Sequence, residues 1–192
     1  MSKTKKVLRT LVVVGVVGGL SALGVFSAFT SQADNPGNTV TAGSVILADN
    51  DGATALYNVS NAKPGQASTP TCIRVNYTGS LDADVKLYTP STIGALGPYV
   101  NLKIESGSQV TPNFPSCTGF VSETTLFDAA LSTFPTTYNG GVSDFPGVVA
   151  TKWINTDAVV YRVTATVSAS APDSAQSATT GSHTLRWEAQ NQ

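Results

Sequence analysis

The ten residues VYRVTATVSA, from Val160 to Ala169, set Tyr161, Val163, Ala165 and Val167 against Arg162, Thr164 and Thr166 in strict alternation. Wound as a helix, that run would scatter its apolar side chains around every face. Extended, it gathers them on one side, so the segment reads as a half-buried strand. Three further runs repeat the pattern. In CIRVNY, Ile73, Val75 and Tyr77 alternate with Cys72, Arg74 and Asn76; in DVKLYT, Val85 and Leu87 alternate with Lys86 and Tyr88; in HTLRWEAQ, Leu185, Trp187 and Ala189 alternate with Arg186 and Glu188. One face to the core and one to water is the signature of antiparallel sheet. Turn signals stand between the runs: DNDG at Asp49 to Gly52, KPGQ at Lys63 to Gln66, YTGS at Tyr77 to Ser80 and YNGG at Tyr138 to Gly141. The expectation is an all-β chain, an antiparallel two-sheet sandwich or jelly roll. One segment has helical spacing. In TTLFDAALSTFP, Phe127, Ala130, Leu131 and Phe134 fall at i, i+3, i+4 and i+7, with Thr124 or Thr125 to cap and Pro135 to stop. It predicts one short helix over an end of the sandwich. The rest of Tyr88 to Gly147 is rich in Gly, Pro, Ser and Thr and predicts a long loop region.

The chain opens differently. Lys3, Lys5, Lys6 and Arg9 precede an apolar or small run from Leu11 to Phe26, and Val25-Phe26-Ser27 supplies small or branched residues at a cleavage position. This is the tripartite pattern of a secretory signal peptide, predicted to be cut between Ser27 and Ala28. The run is also long enough for an uncleaved N-terminal anchor, which stays open as an alternative. Residues 28–192 suit a single domain with a real core. Four of the eleven basic residues lie in the signal, leaving seven against twelve acids, a net charge of −5. With charge at only 12% of residues, against about a quarter in an average soluble protein, and with no basic cluster, nothing invites nucleic acid or an anionic membrane. Membrane contact is expected only through the signal segment before cleavage, and the location is secreted, extracellular or at the cell surface. In an exported chain the isolated pair Cys72 and Cys117 is most simply a disulfide.

Chemistry-bearing motifs are sparse. His183 is the only histidine; a zinc hydrolase needs two or three imidazoles that leave one coordination position open. No Gly-x-Ser-x-Gly nucleophile elbow accompanies it. The carboxylate pairs Asp49/Asp51 and Asp82/Asp84 lack the continuing ligands of a calcium loop, and DNDG explains itself as a turn. Asn58-Val59-Ser60 and Asn76-Tyr77-Thr78 match the N-glycosylation triplet, which arises often by chance. No catalytic residue, metal site or cofactor is expected.

Several stretches do resemble a known family. KVLRTLVVVGVVGGLSALGVFSAFTS, then GNTVTAGSVIL, NVSNAKPGQ, YTGSLDADVKLY and finally TLRWEAQNQ are similar to TasA and camelysin type proteins. Their signal is cut by a dedicated SipW-type signal peptidase just before an Ala-Phe pair, which maps onto Ala28-Phe29. The resemblance implies a jelly-roll domain whose members build biofilm matrix fibres, the freed N-terminal segment of one subunit entering the next as a strand. Here the donor would be Ala28 to about Val40, with Phe29 filling a groove in a second copy. The strands at Val159 to Val167 and Leu185 to Ala189 are candidates for the groove's walls. A head-to-tail contact of this kind does not close, and so yields a filament. Camelysin relatives are named metallo-endopeptidases, which supplies an enzyme alternative. A membrane-anchored surface protein or adhesin that never polymerises is the third.

Overall fold

A computed structural model describes residues 37–145 and 151–191. The segment expected to be a signal peptide, the expected cleavage site at Ser27–Ala28 and Phe29 lie outside the described residues. Ala42–Gln192 form one compact unit and Met1–Thr41 another. Of the latter, residues 37–41 are described and hold no strand or helix, and Val40 is fully exposed.

The run that opened the sequence reading becomes the middle of a sheet. Seven strands form: β1 (Leu47–Asp49), β2 (Thr71–Tyr77), β3 (Asp84–Tyr88), β4 (Val100–Gln109), β5 (Phe120–Ala130), β6 (Ala158–Val167) and β7 (Arg186–Gln190). Five make an antiparallel sheet in the order β1-β2-β6-β4-β5, and β3 pairs antiparallel with β7 in a second. The period-two patterns point where alternation requires. Ile73, Val75 and Tyr77 of β2, Leu102 and Ile104 of β4, and Tyr161, Val163 and Ala165 of β6 bury together with Val85 and Leu87 of β3 in one cluster. Trp153 is fully buried among them. It exchanges both backbone hydrogen bonds with Ala83, and its Nε1–H donates to the Asp144 carbonyl at 2.8 Å. Each such aliphatic side chain contributes about 1.5–3 kcal/mol by leaving water.

The opposite face of the large sheet is polar but not bare. Cys72, Arg162 and Glu105 stand in one cross-strand row on β2, β6 and β4. Cys72 is bonded to Cys117, as expected, and its backbone N–H donates to the Pro115 carbonyl, so the β4–β5 connection folds back onto β2. Arg162 reaches Glu105 at 2.7 and 2.8 Å and lies over the Phe120 ring at 4.8 Å.

Three expectations fail. The helix over 124–135 is not formed: residues through Ala130 continue β5, and a 3₁₀ turn, Leu131–Thr133, follows. Against β4, β5 carries one extra residue at Leu126 and another at Glu123, because Ile104 pairs with Phe127 but Glu105 with Thr125, and Ser106 with Thr124 but Gly107 with Ser122. Such insertions break strict alternation. The turn then carries Leu131 and Phe134 into the core, where Phe134 meets Phe127 edge-on at 4.8 Å. A bulged strand plus a tight turn thus imitates a helical period. Nor is Tyr88 to Gly147 a long loop, since β4 and β5 occupy much of it. The turn at DNDG is likewise no tight hairpin: β1 pairs with β2 only after the chain has run through residues 50–70.

Candidate functional site: a groove at an open sheet edge

The two sheets are unequal, five strands against two. β3 meets β7 on one side and short bridges on the other, Leu87 with Val142 and Ala83 with Trp153. β7 has β3 alone; among the described residues no strand pairs with its other edge. A groove of about 1150 Å³ reaches β7 at Trp187. Its floor takes Val100 from the start of β4 and Ala165 and Val167 from the end of β6. One wall is residues 51–66 and the other 171–187, which ends in Leu185 and Trp187. Trp187 also packs on Tyr161, ring centroids 5.3 Å apart.

The walls differ in how they are held. Residues 171–187 are pinned from behind: Gly94 N–H donates to the Thr180 carbonyl, Leu96 N–H to the Thr179 carbonyl, and Thr184 N–H to Ser91 Oγ. The facing wall is fixed at its ends. Thr54 N–H donates to the Asp51 carbonyl, Gln66 N–H to the Lys63 carbonyl and Gly65 N–H to the Val167 carbonyl. Gly65 has φ +81°, as the KPGQ turn requires. Between these ends, residues 55–62 make no backbone-to-backbone hydrogen bond among the described residues. The groove is therefore bordered on one side by residues 55–62, whose backbone makes no such bond, and on the other it reaches β7 at Trp187, with Val100, Ala165 and Val167 between. That arrangement is suited to an extended peptide, whose own N–H and C=O groups need partners and whose alternate side chains need apolar space.

His183 sits in this groove. Its Nε2 lies 2.6 Å from Tyr57 Oη and its Nδ1 3.0 Å from the Gly181 carbonyl. Burial raises the Tyr57 phenol well above its usual range, so it stays a protonated donor. With both imidazole nitrogens engaged, no Ser or Thr hydroxyl is held for activation. The carboxylate pairs are otherwise employed: Asp84 pairs with Lys152 at 2.8 Å, while Asp49 Oδ1 and Asp51 Oδ1 accept backbone N–H bonds within their own turn. Burial and the neighbouring Asp49 raise Asp51. Among the described residues no three His, Cys, Asp or Glu side chains gather as metal ligands, and no helix is long and apolar enough to cross a membrane. Of the two glycosylation triplets, Asn58 is exposed on the groove wall, while Asn76 lies within β2, paired on both sides.

Of the expected site residues, Cys72 and Cys117 are brought together and Val40 is exposed. Ala165 and Val167 of β6 and, on the other side, Leu185 and Trp187 line this groove. Sequence reasoning missed Tyr57 and the 51–66 wall. The signal was slight: a lone apolar-aromatic pair, Leu56-Tyr57, in a polar stretch. No protein-family model matches the chain, and no curated protein matches it significantly.

Proposed function

We propose that the chain is an exported structural subunit that polymerises head to tail into extracellular fibres, a jelly-roll-type sandwich of the TasA kind. The segment from Ala28 to about Val40 of one copy enters the groove of the next and adds a strand to β7. The observation that carries this reading is the β7 edge, unpaired among the described residues, with a groove that reaches the strand at Trp187. The remaining open edges are poorer templates. β1 is three residues long, and β5 carries two extra residues within four positions, which twist and blunt an edge. The donor sequence AFTSQADNPGNTV offers Phe29 and Val40 as apolar anchors around a polar, Gly- and Pro-containing middle. The metallo-endopeptidase alternative has little to stand on: a single histidine, hydrogen-bonded at both nitrogens, offers zinc no ligand set among the described residues.

The test is to recover the protein from culture medium and cell surface, and to read its first residue by mass spectrometry and its assembly state by electron microscopy. Filaments of chains starting at Ala28 are expected. Phe29→Asp should fold and be secreted normally yet assemble at least tenfold more slowly, because burying an unpaired carboxylate in an apolar groove is strongly disfavoured. Full-length monomers held in the membrane would point instead to an anchored surface protein, and normal fibres from Phe29→Asp would remove the donor role.

A further inference from the structure

The two groove walls come from segments more than a hundred residues apart, and one side-chain bond joins them. A carbonyl oxygen can only accept, so the 3.0 Å contact between His183 Nδ1 and the Gly181 carbonyl places the ring proton on Nδ1. Nε2 is then a lone pair, and Tyr57 Oη–H donates to it at 2.6 Å. The rings lie 5.5 Å apart, tilted by 51°. Among the described residues no other hydrogen bond links 51–66 to 171–187. The His183 side is anchored to Ser91, Gly94 and Leu96. The Tyr57 side, residues 55–62, is held at its ends and by the packing of Leu56, Tyr57 and Ala62 on the core.

From this asymmetry we propose that the Tyr57–His183 hydrogen bond is a latch: it holds the wall 55–62 against the fixed wall, and its opening frees the groove for an incoming strand. The proposal rests on the groove being the acceptor in assembly. It gives the subunit a closed resting state and makes wall opening part of the cost of each addition. The latch residues act on access and are not required for the contacts the bound strand makes with β7.

Two readouts keep the latch and the acceptor reading apart. Amide hydrogen exchange over residues 55–62 reports the wall alone. Capture of a fluorescent peptide, AFTSQADNPGNTV, by the secreted monomer at a concentration below assembly reports the groove. Tyr57→Phe keeps the ring and its packing while deleting the donor; His183→Gln tests the same bond from the other wall. With a hydrogen bond of ordinary net strength removed, exchange at 55–62 and the peptide association rate should both rise about two- to tenfold in each variant, with melting temperatures within a few degrees of the parent. Unchanged exchange in both variants overturns the latch, whatever the peptide does. Faster exchange with no peptide capture by any of the three proteins keeps the wall latch but overturns the acceptor reading. Faster exchange with capture at the parent rate overturns the latch as a control on entry.

Discussion

Glu105 shows how much of this fold is decided by residues whose role the sequence hides. It sits at an outward position of β4, yet it is 6% exposed. Burial pushes its carboxyl up, but hydrogen bonds from Arg162, Lys103 and Ser122 outweigh that and hold it below the ordinary carboxylate value. A lowered folded-state value means the charge stabilises the fold above pH ~4.5, the unfolded range. The contribution is lost as pH falls through the folded value. Glu105→Gln should therefore cost about 1–2 kcal/mol at pH 7, and its deficit against the parent should shrink as pH drops below that range, because protonated Glu resembles Gln. Urea midpoints of both proteins from pH 7 down to 3 check this; a deficit that stays constant would mean the charge is irrelevant. Comparison with the variant also cancels Glu188, which hydrogen bonds from Tyr88 and Gln190 lower in the same direction. Read as a string, Arg162 is a polar member of an alternating strand and Glu105 a polar residue of a stretch expected to be loop, 57 positions apart. Only the sheet order sets them side by side, next to the Cys72–Cys117 bridge.

At the scale of elements, alternation was legible and interruption was not. β2, β3 and β6 form where their patterns place them, because in a half-buried antiparallel strand the same feature that defines the pattern, one apolar face, also supplies the driving force. β5 was missed because its apolar residues are set by two inserted positions and a closing 3₁₀ turn, which no fixed period describes. Its partner carries the matching constraint at Gly107, where a Cβ would lie 2.0 Å from the Val121 carbonyl oxygen and 3.2 Å from the Glu123 nitrogen. Those are backbone atoms of the inserted region, so nothing small can move aside. Gly107→Ala should cost about 1–3 kcal/mol, the range for forced overpacking, and should raise amide exchange along the β4–β5 hairpin. Ser108→Ala, at the next, exposed position, should stay within about 0.5 kcal/mol. If both variants melt alike, the hairpin tip is free to shift and the close approach is not a constraint.

For the molecule as a whole, the groove was only half visible in the sequence, for a topological reason. Ala165 and Val167, and Trp187, lie on strands whose apolar faces announce themselves. One wall is an irregular stretch, 51–66, made important only by the absence of a second neighbour for β7. An open edge is a property of strand order, which no local pattern records. The same order separates folding from assembly. The core cluster, the disulfide and every strand among the described residues belong to Ala42–Gln192, so a chain beginning at Ala42 should melt within a few degrees of the chain beginning at Ala28. If assembly runs by the proposed strand exchange, it should form no fibres alone, having lost the donor segment. Peptide AFTSQADNPGNTV should restore what the donor supplies in trans: at a hundred times its dissociation constant, binding to the folded state alone stabilises by about 2.7 kcal/mol, a rise of several degrees in melting temperature, whereas a scrambled peptide should add nothing. A truncated chain that unfolds would mean that residues before Ala42 complete their own subunit's core. One that still polymerises would place the joint between copies on an edge other than β7.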